Sequence, residues 1–362
     1  MANTLGKTLQ NLPGPVLITG HTGFKGTWMT LLLQQLGVSV IGYSLKPEKD
    51  SLYDKAKLKG HIPEKFADIR NYKKLKKFVS KHRPSVIIHM AAQSLVLESY
   101  KNPIETFDVN VMGTVNLLDV SFSVNSVQVV LVATTDKVYR NDDSGRAFVE
   151  TDPLEGKDPY SASKVGTESA IRAWQQLSEV SGGPKVVSVR AGNVIGGGDL
   201  GKDRLIPDII RSYIFGKPLN IRNPKSTRPW QHVLDPLVGY LMAAEYLLQG
   251  NHLTSVNFGP TPEVMSVQQV VEIAKSHLDK SLRIIIEEQK ETVNQHFEAN
   301  QLSLNSNLAF QILGWKSQIT KTIAIELTLN WWHEVLLNNK DSSDLVRKQI
   351  QEYAHRLNGT AD

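Results

Sequence analysis

A glycine-rich turn between an apolar run and a helical pattern is the feature that most constrains how this chain folds. Residues 16–19 are a short apolar run typical of a buried strand, and leucines at helical spacing follow between residues 31 and 36. Gly20, Gly23 and Gly26 lie between them. Glycines let the backbone turn tightly and approach a pyrophosphate at the positive end of the helix. Although the spacing is GxxGxxG rather than GxGxxG, this context favours dinucleotide binding over a turn without a ligand.

The turn does not identify which dinucleotide binds. An acidic residue about 20 positions further along commonly holds the ribose 2′-hydroxyl of NAD. Here the second apolar run, 38–43, leads instead into Ser44 and Lys46. A lysine at this place tolerates a 2′-phosphate, so the motif leaves NAD and NADP open.

Composition excludes several classes of protein. The 362 residues include no cysteine, which excludes disulfide scaffolds and thiol chemistry and fits a reducing cytoplasm. No apolar run approaches the roughly 18 residues of a membrane span, and the N-terminus lacks the apolar core of a signal peptide. The net charge of +5 is modest, and much of it lies on one predicted helix, which indicates a solvated face and no nucleic-acid partner. The histidines lack the spacing of metal ligands, so we expect no metal.

Apolar runs alternate with helical patterns, which predicts a parallel sheet covered by helices on both faces. The predicted strands lie at about 15–19, 38–43, 64–67, 85–90, 127–134 and 185–190. The predicted helices lie at about 24–36, 71–82, 104–124 and 160–180. The expected fold is α/β, with a doubly wound parallel-sheet Rossmann domain and a smaller α/β substrate-binding lobe. We assign residues 1–190 to the first, with some later segments returning to it, residues 191–340 mainly to the second, and residues 341–362 to a polar C-terminal tail.

Tyr160 and Lys164 are four residues apart in a predicted helix, so they lie on one face of it. A fixed ammonium beside a phenol is expected to lower the phenol pKa and to prepare a general base for an alcohol proton. On an exposed helix the same spacing usually marks a solvated face. The pair becomes informative only together with the rest of the chain.

Polar and small residues follow three other predicted strands. Asp68 and Ile69 follow the third strand, residues 91–93 end the fourth, and residues 134–137 end the fifth. Open α/β sheets bind ligands at the carboxyl ends of their strands. We therefore expect these segments to line one site.

Several segments together resemble a known family. The glycine turn, the Tyr160–Lys164 pair and residues 110–114 resemble the extended short-chain dehydrogenase/reductase superfamily. Within it, the resemblance is to the CDP-glucose 4,6-dehydratase family and covers roughly residues 15–335. It is carried by segments 20–26, 89–93, 135–137, 190–199, 203–207, 221–224 and 228–233. Thymidine-type dehydratases carry Thr-Asp-Glu where this chain has Thr135, Asp136 and Lys137, which favours the cytidine branch.

The resemblance implies NAD as the cofactor. The residues it places against the dinucleotide are Gly20, Gly23, Phe24, Lys25, Gly26, Asp68, Ile69, Ala91, Ala92, Gln93, Asn110, Tyr160 and Lys164.

It also implies the reaction, which converts CDP-glucose to CDP-4-dehydro-6-deoxy-glucose and water, for deoxysugar and surface polysaccharide (O-antigen) synthesis. The sugar is oxidised at C4, loses water across C5 and C6, and is reduced at C6. Tyr160, held by Lys164 and assisted by Thr135, takes the 4-hydroxyl proton. Asp136 supplies a proton to O6, which requires a protonated carboxyl. Lys137 takes the C5 proton or steadies the enolate.

Alternatives from other classes are a sugar-nucleotide 4-epimerase or reductase and a non-catalytic nucleotide-binding protein on the same fold. An epimerase needs Tyr160, Lys164 and the hydroxyl of Thr135, but not the adjacent acid and base. Asp136 and Lys137 therefore favour dehydration.

The nucleotide sugar carries two phosphates, for which arginine forks are well suited. The predicted substrate-binding residues are Thr135, Asn193, Arg204, Arg222 and Arg228. The superfamily resemblance also implies a homodimer, in which helices 104–124 and 160–180 of two chains pack as a four-helix bundle. The absence of cysteine leads us to expect a cytoplasmic location.

Overall fold

The structure is a computed structural model that describes residues 5–142, 144–202, 204–221, 223–260, 265–278, 284–286 and 302–359. Its strands are β1 (Val16–Thr19), β2 (Val40–Ser44), β3 (Glu64–Phe66), β4 (Val86–His89), β5 (Val129–Ala133), β6 (Ala147–Phe148), β7 (Lys185–Ala191), β8 (Val194–Ile195), β9 (Leu219–Ile221), β10 (Gln231–His232), β11 (Ser255–Phe258), β12 (Ile284–Ile286) and β13 (Ser303–Leu304).

The α-helices follow in the same chain order. They are α1 (Lys7–Gln10), α2 (Phe24–Gln35), α3 (Leu52–Lys55), α4 (Tyr72–His82), α5 (Val96–Lys101), α6 (Pro103–Phe107), α7 (Gly113–Phe122), α8 (Pro159–Ser181), α9 (Leu205–Phe215), α10 (Leu234–Leu248), α11 (Val267–Leu278), α12 (Asn307–Leu313), α13 (Lys321–Leu337) and α14 (Ser342–Leu357). A π-helix spans Asp108–Met112, and a 3₁₀ turn spans Asp136–Val138.

A seven-stranded parallel sheet forms the centre of the molecule, in the order β3-β2-β1-β4-β5-β7-β11. This is the strand order of doubly wound dinucleotide-binding folds, whose ligands lie where the order reverses. The reversal falls here between β1 and β4, which pair with Val16 opposite Val86. The predicted fold class is confirmed.

Successive residues of each central strand point to opposite faces of the sheet. Val16 and Ile18 belong to one core cluster together with Trp28 of α2 and Leu241 of α10. Leu17 belongs to the other, which contains residues of α4, α7 and α8. The fully apolar strands are therefore explained by burial on both faces.

The second half of the chain contributes to both parts of the molecule. β11 extends the main sheet beside β7, and α10 packs against β5 and β7. Short parallel pairs, β8 with β10 and β9 with β12, stand outside the main sheet. Within the described residues, no helix is long and apolar enough to cross a membrane.

Two predicted segments differ from the structure. Helix 104–124 is interrupted by the π-helix, whose wider turn separates α6 from α7. The segment from residue 341, predicted as a polar tail, contains the helix α14. Val346, Ile350 and Tyr353 share one buried face of α14, which explains why a polar sequence is held against the body.

Candidate active site

Helix α8 begins at the site, and its first turn fixes Tyr160. Pro159 occupies the first helical position, and the Asp158 carboxylate accepts a hydrogen bond from the Ser161 backbone N–H over 3.0 Å. The backbone N–H of Tyr160 donates to the hydroxyl of Ser99, 3.0 Å away. With its backbone held from both sides, the Tyr160 side chain is buried at the end of the sheet.

Lys164 lies one turn further along α8, and its Nζ atom donates to the backbone oxygen of Ala133 at the end of β5, over 3.1 Å. Burial lowers the pKa of Lys164 to about 8, against the opposing effect of Glu168. Burial raises the pKa of Tyr160 to about 12, although its hydrogen bond with Thr135 acts in the opposite direction. The prediction that the phenol pKa is lowered is therefore wrong for the protein alone, because desolvation outweighs the favourable contacts.

The 3₁₀ turn after β5 holds the predicted acid. The Thr135 hydroxyl donates to Oδ1 of Asp136 over 2.9 Å, and Asp136 is 1% exposed. Its other oxygen, Oδ2, has no hydrogen-bond partner among the residues that the structure describes. A buried carboxylate oxygen without a hydrogen-bond partner costs free energy unless a ligand supplies the partner. Oδ2 is therefore available to bind a ligand group.

Lys137 and Asn193 meet beside this carboxylate. The Nζ atom of Lys137 lies 3.4 Å from Oδ1 of Asp136 and 3.4 Å from Oδ1 of Asn193. The structure thus brings the predicted acid and base together. Asn193, predicted to face a phosphate, has its amide oxygen turned toward Lys137.

The three glycines of the turn have different surroundings. Gly20 adopts a φ of +75°, which favours glycine. A Cβ atom on Gly26 would lie 2.1 Å from the Gly20 oxygen, so Gly26 allows α2 to pack against the turn. Gly23 is exposed, and a Cβ atom there would meet only the Gly20 oxygen, at 3.3 Å. The turn therefore has the close packing and the open backbone that a dinucleotide pyrophosphate requires.

Lys25 adds positive charge next to the turn. Its Nζ atom donates to the Tyr240 hydroxyl over 2.8 Å. Its pKa is lowered to about 7, by burial first and then by the charges of Lys164 and Arg204. Three cations that oppose one another's charge are suited to an anionic ligand between them.

Asp68 and Ile69, which the resemblance places against the dinucleotide, lie after β3. Asp68 is paired with Arg70 at 2.7 Å, and this hydrogen bond keeps the pKa of the Asp68 carboxyl low. Ile69 is buried against Gly113, where a Cβ atom would lie 2.6 Å from the Ile69 side chain.

Asn110 lies in the π-helix and connects the end of β4 to α8. Its Oδ1 atom accepts from the Gln93 backbone N–H at 2.8 Å. Its amide nitrogen donates to the Gln93 backbone oxygen at 3.0 Å and to the Ser163 hydroxyl at 2.9 Å. Residues 91–93 are thus held beside the catalytic helix, and Asn110 orients them.

The predicted arginines are only partly brought together. Arg204 pairs with Asp199 at 3.1 Å, and its charge acts on both Tyr160 and Lys25, so it faces the site. Arg228 donates to the backbone oxygen of Thr227 at 2.9 Å. Arg222 lies outside the described residues.

Comparisons with known proteins agree with this geometry. The family model described as GDP-mannose 4,6 dehydratase matches residues 17–328. The chain belongs to this dehydratase family. It is 38% identical to the CDP-glucose 4,6-dehydratase of Salmonella typhimurium, over 93% of this chain and 95% of the relative. The resemblance predicted from the motifs, and with it a sugar-nucleotide 4,6-dehydratase, is confirmed.

More distant members of the same group include other chemistries. A UDP-glucose 4-epimerase of Streptococcus mutans is 28% identical over 91% of this chain and 99% of its own length. The solved structure of an NAD-dependent NDP-hexosamine 5,6-dehydratase of tunicamycin biosynthesis matches with a TM-score of 0.72 at 25% identity. It covers 91% of this chain and all of that one, 100%.

The dehydratase site also contains residues that the sequence analysis missed. His89 lies between the hydroxyls of Thr19 and Thr114, at 2.6 and 3.0 Å, and burial lowers its pKa to about 3, so it is neutral. Glu168 and Arg190 form a buried ion pair behind Lys164. His89 and Arg190 lie in two of the segments that carry the resemblance, and Glu168 follows Lys164 by one further helical turn, but none of these signals indicates a role.

Proposed function

We propose that the protein catalyses the NAD-dependent conversion of CDP-glucose to CDP-4-dehydro-6-deoxy-glucose and water. The observation that carries the proposal is the Asp136 carboxylate. It is buried, it lies between Thr135 and Lys137, and one of its oxygens has no partner among the described residues. An epimerase requires no such acid beside Tyr160. The identity of 38% to a CDP-glucose 4,6-dehydratase supports the choice of substrate.

The residues around the glycine turn fit NAD. Gly20 and Gly26 shape the turn, Gly23 leaves its backbone open, and Lys25 and Lys164 supply positive charge. When bound, NAD supplies the redox chemistry, accepting two electrons from the sugar and returning them. The solved dehydratase at 25% identity, described as NAD-dependent, supports NAD over NADP.

Tyr160 removes the proton of the sugar 4-hydroxyl, and Thr135 orients the phenol. With a pKa of about 12 in the protein alone, the phenol holds its proton until the site is filled. Lys164 is the cationic residue nearest to Tyr160 along α8, and it is charged below about pH 8. Its role is to stabilise the phenolate that Tyr160 must form before it can take the 4-hydroxyl proton and become a phenol again.

Asp136 and Lys137 carry out the elimination. In its protonated form, with the proton on the free Oδ2 oxygen, Asp136 delivers that proton to the departing 6-hydroxyl, which leaves as water. Lys137, fixed between Asp136 and Asn193, either takes the C5 proton or stabilises the negative charge that develops on the sugar. Arg204, Arg228 and Arg222 are the proposed phosphate ligands, and Asn193 contributes through its contact with Lys137.

A single incubation series tests the assignment. The purified protein is mixed separately with CDP-glucose, UDP-glucose, dTDP-glucose and GDP-mannose, and products are identified by mass spectrometry and NMR. We expect CDP-glucose to lose one water and to give a 4-keto, 6-methyl sugar. Inversion at C4 without loss of water would establish the epimerase alternative. Faster dehydration of another nucleotide sugar would show that this sugar, and not CDP-glucose, is the substrate.

We also propose a homodimer in which segment 104–124 (α6, the π-helix and α7) and α8 of each copy pack into a four-helix bundle. These helices carry exposed apolar side chains on their outer side, of which Ile104 is 85% and Val180 87% exposed. Phe107, Met112 and Leu177 are exposed near them. An apolar face of this kind is typical of a protein interface, and a second copy supplies a matching one. A cytoplasmic location and a role in surface polysaccharide synthesis remain predictions.

A further inference from the structure

Three side chains on successive turns of α8 contact three successive residues at the end of β5. Tyr160 forms a hydrogen bond with the Thr135 hydroxyl, and Lys164 donates to the Ala133 oxygen over 3.1 Å. Glu168 accepts from the Thr134 hydroxyl over 2.7 Å. The proposed mechanism uses the first two contacts and leaves the third without a function.

We propose that Glu168 is a positioning residue that acts through Lys164. It fixes the register of α8 on β5 and places a negative charge one helical turn behind the ammonium. The proposal rests on the proposed function of Lys164 and adds to it the residue that keeps Lys164 in place and charged.

Glu168 is itself held rigidly. Arg190 approaches both carboxylate oxygens, with Nε 2.9 Å from Oε1 and Nη2 2.9 Å from Oε2. The Ser188 hydroxyl donates to Oε1 over 2.6 Å. Both side chains of the ion pair are 2% exposed. Such a bidentate pair, satisfied on every side, allows little movement of the carboxylate.

Arg190 is anchored in turn on its far side. Its Nη1 atom donates to the Tyr139 hydroxyl at 2.8 Å and to the Glu150 backbone oxygen at 3.1 Å. The Tyr139 hydroxyl donates to Asn257 of β11 at 2.7 Å. The guanidinium is therefore fixed on the sheet, and its pair with Glu168 holds α8 against the sheet.

The charges around Lys164 show why a nearby carboxylate matters. Lys25 of α2 and neutral His89 of β4 face the ammonium, and the phenol of Tyr160 lies one turn before it on the same helix. Burial lowers the pKa of Lys164, and Glu168 raises it. Removing the Glu168 charge therefore lowers the pKa further, and the ammonium is lost at a lower pH.

The test is the pH dependence of Glu168→Gln, measured as kcat/KM with CDP-glucose and NAD between about pH 6 and 9. The amide keeps an oxygen for Thr134 and Ser188 but removes the charge. We expect kcat/KM to fall about tenfold relative to the unaltered protein near pH 8, and less than about threefold near pH 6. A purely structural defect would lower the rate by the same factor at every pH, and that result would overturn the proposal.

Two variants serve as controls. Ser188→Ala removes one hydrogen bond to the same carboxylate and keeps the charge, so its pH profile should match that of the unaltered protein. Glu168→Asp keeps the charge with a shorter reach, so it should lower the rate equally at all pH values. An acid shift of the profile in either control would count against an effect of charge.

Glu168→Gln leaves Arg190 as an unpaired buried cation and can unfold the protein, which thermal melting reveals. In that case the double variant Glu168→Gln/Arg190→Gln, which removes both charges, replaces it. A smaller shift in the same direction is expected, and an unchanged profile would refute the proposal. If the unaltered protein does not dehydrate CDP-glucose, the proposed function is wrong, whatever the variants show.

Discussion

Gly192 lies against the carboxylate of Asp136, so closely that a Cβ atom on residue 192 would be 2.9 Å from the Oδ2 oxygen. Oδ2 is the oxygen without a partner among the described residues, and the one that we assign to protonation of the 6-hydroxyl. On its other side, the same Cβ would meet Pro229 at 3.3 Å. The absence of a side chain at residue 192 therefore leaves room for the acid to face the sugar.

Gly192→Ala should displace Asp136 without removing it. A methyl group caught between Oδ2 and Pro229 forces the carboxylate to rotate, and an acid misplaced by about 1 Å can cost about 10²-fold in rate. Oxidation at C4 should be nearly unaffected because Tyr160 and Thr135 keep their positions. Product formation and the absorbance of reduced dinucleotide at about 340 nm, followed together, measure both steps. Turnover equal to that of the unaltered protein would show that Oδ2 is not the reacting oxygen.

Replacing Asp136, the proposed acid at O6, and replacing Tyr160, the proposed base at the 4-hydroxyl, should separate the two halves of the reaction. Asp136→Asn keeps the shape of the side chain but cannot deliver a proton to O6, so oxidation should survive and water loss should stall. Substrate should then generate enzyme-bound NADH, at most about one equivalent per site. Tyr160→Phe should generate little NADH, and its overall rate should fall by about 10² to 10⁴.

The comparison between these two variants decides the assignment. Rapid-mixing absorbance at about 340 nm on equal concentrations of folded protein is the measurement. If both variants lose the NADH signal equally, Asp136 acts in binding or in the first step and is not the acid at O6.

Much of the site follows from the sequence because strand ends in a parallel sheet converge. Apolar runs predicted six strands of the main sheet within one or two residues, for example 185–190 for Lys185–Ala191. Thr135 and Asp136 follow β5, and Tyr160 lies at the start of the helix that returns along this strand. The order of strand and helix is therefore enough to predict that these residues lie close together. The strand order and the π-helix required packing information that periodicity does not contain.

The features of the site that the sequence does not predict depend on contacts between segments that are distant along the chain. The Lys25–Tyr240 hydrogen bond joins residues that are 215 positions apart, and local sequence does not predict it. The pKa of Tyr160 depends on how completely the site is desolvated, which the spacing of Tyr160 and Lys164 does not reveal. The motif that contains Arg190 does not reveal its ion pair, because its partner Glu168 lies 22 positions away on another element.

Two glycines of the turn, Gly26 and Gly23, should respond differently to alanine. In Gly26→Ala the new Cβ would lie 2.1 Å from a backbone oxygen that cannot move cheaply, so unfolding should be easier by at least about 3 kcal/mol. In Gly23→Ala the contact is 3.3 Å and the position is exposed, so stability should change by about 1 kcal/mol or less. Its affinity for NAD should nevertheless fall at least about tenfold, because the methyl group faces the expected pyrophosphate.

Thermal melting and calorimetric titration with NAD on both variants check this prediction. Gly23→Ala with unchanged affinity would mean that the dinucleotide does not approach the turn at this residue. A stable Gly26→Ala protein would contradict the packing described for α2.

The apolar face on α6 and α8 should hold two copies together. Ile104→Glu and Val180→Glu place charges at positions that are 85% and 87% exposed in a single chain, so they should not unfold it. A carboxylate buried in an interface without a partner should convert the dimer to a 40.3 kDa monomer. Phe310→Glu is the matched control, since Phe310 is 60% exposed on α12, away from this face. Sedimentation showing a monomer for the unaltered protein would refute the dimer.

Affinity for NAD should fall as the pH rises through the titration of Lys25. In the nucleotide-free protein, burial and the charges of Lys164 and Arg204 lower the Lys25 pKa to about 7. An anionic pyrophosphate beside the ammonium favours the charged form and raises that pKa. Binding is therefore strongest below about pH 7, where Lys25 is already protonated, and weakens by up to about tenfold per pH unit above it.

Calorimetric titration between about pH 6 and 7.5 isolates this effect, because Lys164 titrates higher, at a pKa of about 8. Lys25→Met keeps most of the apolar stem and should flatten the dependence, whereas Tyr240→Phe removes only the hydroxyl that accepts from Nζ and should retain it. An unchanged slope in Lys25→Met would assign the pH dependence to another group and remove Lys25 from the dinucleotide site.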